Sequence, residues 1–128
     1  MALKLKLLPE QYSIYQLELL PDDSLLDMLS QCSFYNITKT DEEISLVCPS
    51  DIKLKSIANN DEWRIFKIDQ VLDFTEIGII AKISKVLAAA KISIFVISTF
   101  HTDYFMVNET SLNKTLGELS NNGYEMID

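Results

Sequence analysis

The chain has 128 residues, of which 48% are hydrophobic and 23% charged, with three glycines and three prolines. This length and composition fit one ordinary domain or two very small ones, and they exclude a disordered chain, a collagen and a repeat solenoid. Nineteen acidic against eleven basic residues give a net charge of −8, which argues against nucleic acid or an anionic membrane surface as a partner, because both are bound through clustered Lys and Arg.

Cysteine usage and hydropathy predict a soluble, cytoplasmic protein. Cys32 and Cys48 are too few for the disulfide framework of a small secreted domain, so we expect both to be reduced thiols. The segment Met1–Leu8 is too short and too rich in lysine for a secretory signal. The longest apolar run, Ile92–Phe100, is far shorter than the roughly 20 residues of a membrane-spanning helix.

The sequence opens with two predicted strands and a short helix. Alternating apolar and polar residues predict strands at Leu3–Leu7 and Tyr12–Glu18, separated by Pro9. The polar segment Asp22–Ser24 provides the N-cap of the helix. The apolar stripe of this helix consists of Leu25, Leu26 and Leu29.

A β-hairpin and a linker are predicted next. Phe34–Thr40 and Ile44–Val47 alternate as strands around the acidic turn Asp41-Glu42-Glu43. The segment Ser50–Asn60 is ambiguous and fits one weak helical turn followed by a polar link. We expect the junction between the two halves of the chain within Ile57–Glu62.

The second half begins with a strand, a helix and a hairpin. The strand is predicted at Trp63–Gln70, and the helix at Glu76–Ala90, where apolar residues recur at helical spacing. Two strands, Ile92–Phe100 and Asp103–Val107, follow around a tight turn at His101-Thr102.

A last helix and strand complete the order β-α-β-β-α-β. Ser111 is predicted to cap the helix, Gly123 to take the left-handed position after it, and Tyr124–Ile127 to form the strand. This is the ferredoxin-like order, and the first half repeats it incompletely. We therefore predict an α+β protein of two tandem units, a degenerate one over residues 1–60 and a complete one over residues 61–128, with antiparallel sheets that carry helices on one face.

The predicted strand Ile92–Phe100 is apolar on both faces. A strand of an antiparallel sheet with one face in water should alternate apolar and polar residues. We therefore expect the chain to form a homodimer that covers the second face, unless that face is covered within the chain.

The sequence contains no evident catalytic or metal-binding arrangement. The single histidine, His101, is predicted to be a solvent-facing turn residue, since both cysteines lie in the other half of the chain. One histidine and two cysteines do not provide the ligand spacing of a zinc site. The three glycines are scattered, so a phosphate-binding loop is not predicted either. We expect a protein that is not an enzyme and has no cofactor.

One group of polar residues is suited to an amino acid. The segment Asp73–Gly78 lies where a strand passes into a helix, and Ser98-Thr99 and Thr102-Asp103 flank the predicted hairpin turn. Hydroxyl groups and the free N–H groups of a helix N-terminus suit a carboxylate, whereas the acidic side chains suit an ammonium group. The alternative is that the first segment only caps the helix and that Gly78 only allows close packing.

Several stretches carry a family resemblance. Trp63–Phe66, Leu72–Ala81 and Ile92–Tyr104 resemble the small bacterial ACT-domain proteins, whose units are also similar to those of the animal arginine-sensing CASTOR regulators. The most specific part is Ile-Ser-Ile-Phe followed by Ser-Thr and Thr-Asp-Tyr. Phe34–Thr40 and Glu42–Pro49 are similar to the first unit of that family.

The resemblance implies a pair of ACT-type units that bind an amino acid at their interface and have no catalytic activity. The ligand's carboxylate is expected at the N-terminus of the helix Glu76–Ala90, and its ammonium group near Asp103 or Asp73. The ligand-binding residues that the resemblance implies are Asp73, Phe74, Thr75, Glu76, Ile77, Gly78, Ser98, Thr99, Phe100, His101 and Asp103.

The sequence departs from the family at three places. Lys91 stands where a glycine usually ends the helix, and Val86 or its neighbour stands where proline is common. Phe100-His101 replaces a frequent Tyr-Asp beside the expected ligand. The alternative function is therefore an interaction protein that pairs with itself or with an enzyme and whose ligand site is vestigial.

Overall fold

The computed structural model describes residues 3–69 and 78–127. The strands are β1 Lys4–Leu7, β2 Tyr12–Leu17, β3 Asn36–Lys39, β4 Ile44–Pro49, β5 Ala58–Ile68, β6 Phe95–Ser98, β7 Asp103–Asn108 and β8 Glu125–Ile127. The helices are α1 Asp23–Ser30, α2 Ile79–Ala89 and α3 Leu112–Asn121, the last preceded by a 3₁₀ turn at Glu109–Ser111. The chain forms two compact units, Glu10–Glu62 (the 10–62 unit) and Met1–Pro9 with Trp63–Asp128 (the 63–128 unit).

The 10–62 unit consists of a small antiparallel sheet and α1. Its strands lie in the order β3-β4-β2, and the chain then returns beside β2, where the Ile57 N–H donates to the Gln16 carbonyl at 2.8 Å. Alternate residues of β2 and β4 share a face with the helix, as the period of two requires. The buried residues of this core are Tyr15, Leu17, Leu29, Leu46 and Cys48.

Local signals in this unit act as predicted, with one exception. The Asp22 carboxylate caps α1 by accepting from the Leu25 N–H at 2.8 Å. The acidic hairpin turn closes through the Thr40 N–H, which donates to the Glu43 carbonyl at 2.9 Å. The predicted apolar stripe is wrong at Leu26, which is 41% exposed, because an eight-residue helix buries only the side that faces the sheet.

In the 63–128 unit, β1 is inserted into a ferredoxin-like sheet. The elements β5-α2-β6-β7-α3-β8 give the order β-α-β-β-α-β, and the strands lie in the order β6-β7-β5-β1-β8. Leu5 lies opposite Ile68 in an antiparallel pair and opposite Met126 in a parallel pair. The first strand therefore belongs with the second half of the chain, which differs from the predicted division into residues 1–60 and 61–128.

Helices α2 and α3 pack on one face of this sheet. The rings of Phe66 and Phe105 stack at a centroid distance of 5.0 Å within the core. The buried core residues are Leu5, Phe66, Ile68, Ile83, Leu87, Ile92, Phe105, Val107 and Leu119. The α+β, ferredoxin-like fold class predicted from the sequence is confirmed.

The boundaries of β5 and β6 differ most from the predictions. β5 begins at Ala58, five residues before the predicted strand, so the last three residues of the predicted polar link belong to the strand. The rest of that segment is a turn, closed by the Ile52 N–H donating to the Pro49 carbonyl at 3.1 Å, followed by an irregular link. α2 begins at Ile79, and the predicted helix start at Glu76 lies outside the described residues. β6 has four residues instead of nine, because Lys91 adopts a left-handed φ of +63° and the Ile92 N–H still donates to the helix carbonyl of Leu87 at 2.9 Å.

Each face of the β6-β7 hairpin is partly buried in the single chain, although Val96 is 41% exposed. Phe105 and Val107 belong to the core beneath the helices, while Ile97 and Met106, on the opposite face, are 6% and 0% exposed. Part of the apolar surface of Ile92–Phe100 is thus covered without a second copy, whereas Val96 and Phe100 stay exposed, and the homodimer remains a prediction that light scattering tests.

Both cysteines are free thiols, and Cys48 is fully buried. Burial raises the pKa of the Cys48 thiol from 9.0 to about 12, and burial also raises the pKa of the Tyr12 phenol. Burial favours the neutral thiol and phenol in the folded state, whereas the unfolded chain ionises at lower pH.

We therefore expect the free energy of unfolding to keep its full value below about pH 9 and to fall as the pH rises towards 12. Urea unfolding at a series of pH values checks this decline. Cys48→Ala removes the titrating thiol, so its free energy of unfolding should decline less steeply with pH than that of the parent protein. Equal slopes in the two proteins would contradict the assignment of this decline to Cys48.

Candidate ligand-binding site

The fold brings four chain segments to one edge of the 63–128 unit. β5 and β6 are each antiparallel to β7 and hence parallel to one another, and α2 is the crossover between them. The crossover begins at the edge where β5 ends. Ile68, Ser98, Asp103 and Gly78 therefore mark what we call the hairpin edge, where β5 and β6 end and β7 and α2 begin.

The hairpin turn is closed by the two threonines within it. Ser98 and Asp103 form the last register pair of β6 and β7. The Thr99 N–H and the Thr99 hydroxyl both donate to the Thr102 carbonyl, at 2.9 and 3.0 Å. The turn therefore comprises four residues between the paired strands, and the predicted two-residue turn at His101-Thr102 is wrong.

Thr102 fixes this turn to the end of β5. Its side chain is only 5% exposed, and its hydroxyl donates to the Ile68 carbonyl at 2.8 Å. Because a buried hydroxyl without a partner is costly, this bond restricts the turn to one position. Thr102 is therefore a positioning residue, which the predicted set of ligand contacts did not include. The sequence feature that could have indicated this role is its hydroxyl group in an otherwise exposed turn.

The tip of the turn carries two exposed rings. Phe100 is 75% exposed, and His101 is exposed, as the sequence predicts. The rings meet edge to face with their centroids 5.3 Å apart. An exposed phenyl ring at the tip of an anchored turn provides an apolar surface beside the carboxylate of Asp103.

The N-terminus of α2 provides the opposite charge. Gly78 is the N-cap with a φ of +83°, a conformation that glycine adopts without strain, and it has no side chain to accept from the first-turn N–H groups. The first turn contains no acidic residue, and Lys82 follows it. The N–H groups of a helix's first turn have no partner within the helix, and together with the helix dipole they favour an anion at this point.

The structure describes six of the predicted ligand-binding residues and places them along the hairpin edge. They are Gly78, Ser98, Thr99, Phe100, His101 and Asp103. The other five predicted contacts, Asp73, Phe74, Thr75, Glu76 and Ile77, lie outside the described residues. Within residues 3–69 and 78–127, no group of three or more His, Cys, Asp or Glu side chains is placed to hold a metal ion. The helices in those ranges are also too short or too polar to cross a membrane.

Comparison with known proteins identifies the family to which this chain belongs. Residues 59–121 match the sequence model of the ACT domain family. A protein of Agrobacterium tumefaciens, known from its crystal structure, is 32% identical and superposes with a TM-score of 0.86 over 99% of this chain and 93% of that one. The chain belongs to the ACT-domain proteins.

Two further relatives show how far this similarity extends. The human cytosolic arginine sensor for mTORC1, subunit 1, is 40% identical over 77 residues, which are 59% of this chain. That stretch is 23% of the human protein, so the chain matches less than a quarter of its length. The alpha and beta subunits of an aspartokinase superpose with a TM-score of 0.64 at 13% identity, covering 94% of this chain and 97% of that one, and they share the fold.

Proposed function

We propose that this chain is a non-catalytic regulatory module that binds a free amino acid at the hairpin edge. Its membership of the ACT-domain proteins and its similarity to a cytosolic arginine sensor support an amino-acid-sensing role. The observation that carries the choice of site is the bond from the Thr102 hydroxyl to the Ile68 carbonyl, which holds the turn beside the end of β5.

The charges along this edge fit the two charged groups of an amino acid. The N–H groups after Gly78, with Lys82 one turn further, suit the carboxylate. The Asp103 carboxylate suits the ammonium group, with Asp73 as the alternative partner. Phe100 provides an apolar surface for the remainder of the ligand.

A thermal-shift screen of the twenty amino acids, arginine included, tests this function. A ligand present at 100 times its Kd should stabilise the protein by about 2.7 kcal/mol, which corresponds to a rise in Tm of several degrees. The N-acetyl amide of the same amino acid lacks both charges and should produce no shift. If no amino acid raises Tm, or if the amide does so equally, the proposal fails.

A further inference from the structure

The 10–62 unit has an open apolar groove that lies outside the proposed ligand site. It has a volume of about 790 Å³ and runs between α1, the segment that leads into it and the segment before β5. Its apolar lining consists of Leu19, Leu20, Leu25, Met28, Leu54 and Ile57, together with Pro21 and Leu17. We call it the α1 groove.

The side chains of this groove are unusually exposed for their type. Leu19 is 77% exposed, Ile57 60%, Leu20 54% and Met28 45%. These four are half of the large apolar side chains that the described residues expose. Scattered apolar residues are normal on a surface, but several that line one groove mark an interaction site.

The charge of the chain is concentrated in the same unit. Residues 10–62 contain eleven acidic and three basic side chains, a net charge of −8, whereas the 63–128 unit contains eight of each sign. Glu18 and Asp22 line the groove, and Asp23 and Asp27 lie on α1. Among the lining residues only Lys55 is basic.

We propose that the α1 groove is the docking site for a cationic, amphipathic helix of a partner protein. Apolar side chains of that helix insert beside Leu19, Met28 and Ile57, and its Lys and Arg side chains lie against the acidic residues of the unit. A second copy of this chain is a poorer occupant, because it brings the same charge of −8 to the interface. The groove lies wholly within residues 17–57, so this proposal and the ligand site can fail separately.

The probe is a labelled model helix of about 18 residues, in which leucines occupy one face and lysines the other. Binding is measured by fluorescence anisotropy. We expect Leu19→Asp and Met28→Asp each to weaken binding at least tenfold. Leu26→Asp is the matched control, since Leu26 is exposed on α1 but does not line the groove, and it should change Kd less than twofold.

Two peptide controls distinguish specific binding in the groove from non-specific binding to the protein surface. A peptide of the same composition, with its leucines distributed around the helix, should bind at least tenfold more weakly, and so should one with glutamate in place of lysine.

In a ¹⁵N NMR titration the amide signals that shift should be those of the groove, such as Leu20, Ser24 and Ile57. Equal binding by all peptides, or equal loss in Leu26→Asp, would overturn the proposal. A dimer that Leu19→Asp dissociates, as measured by light scattering, would identify a second copy as the occupant instead.

Discussion

Replacing Asp103 by alanine is expected to weaken amino-acid binding about ten- to hundredfold and to leave the Tm of the free protein nearly unchanged. A hydrogen bond to a charged group contributes about 1.5–3 kcal/mol, which corresponds to this loss in affinity. Asp103 begins β7 beside the turn and does not belong to the buried core. Titration calorimetry with the amino acid found by the screen measures the change.

Two further variants, one a control and one a second test, accompany this measurement. Glu109→Gln removes a carboxylate at the opposite end of β7 and should leave the affinity unchanged. His101→Asp, which places an acid where the family frequently has one, should change affinity or ligand preference more than stability, because an exposed turn residue contributes little to the core. Unchanged affinity in both Asp103→Ala and His101→Asp would remove the hairpin turn from the site.

Leu5→Ala is expected to lower the free energy of unfolding by about 2–5 kcal/mol. Leu5 is fully buried, and it lies between Ile68 of β5 and Met126 of β8. Truncating it leaves a cavity beneath the helices and weakens both strand pairs at once. Urea unfolding of the two proteins measures the difference.

Leu19→Ala is the matched control for this substitution. It makes the same truncation at a side chain that is 77% exposed, and the free energy of unfolding should change by less than about 0.5 kcal/mol. If Leu5→Ala is equally mild, β1 does not form part of the core of the 63–128 unit.

Most local structure could be predicted from the sequence because its signals act within a few residues. Asp22 caps α1 through a bond to the N–H of a residue three positions later. Gly123 takes a φ of +86° after α3, a conformation that the helix end requires and that glycine allows. Period-two alternation likewise identified the strand Tyr12–Leu17 within one residue.

Partners of strands were harder to predict. Alternation shows which residues of a strand share a face, but it does not show which strand lies beside it. The pattern of Leu3 to Leu7 therefore predicted a strand correctly, whereas its position between β5 and β8 depends on residues more than fifty positions away. The same limit concealed the α1 groove, since exposure of Leu19 and Met28 depends on what packs around them.

The candidate site was predicted mainly by resemblance. Charge and hydroxyl groups indicated an amino-acid ligand, but the strand order was needed to bring Ser98, Asp103 and Gly78 to one edge. Thr102 shows what remained hidden: its role follows from a bond to Ile68, a residue 34 positions away.

The insertion of β1 affects how the chain can fold during synthesis. β1 leaves the ribosome before either neighbour exists, because β5 begins about fifty residues later and β8 more than a hundred. Until then, Lys4–Leu7 is a strand-forming segment without a partner, the kind of segment that aggregates. Its alternating lysines, Lys4 and Lys6, give the unpaired segment a positive charge and so disfavour pairing with another nascent chain. The sheet of the 63–128 unit can therefore close only when its earliest and latest strands meet.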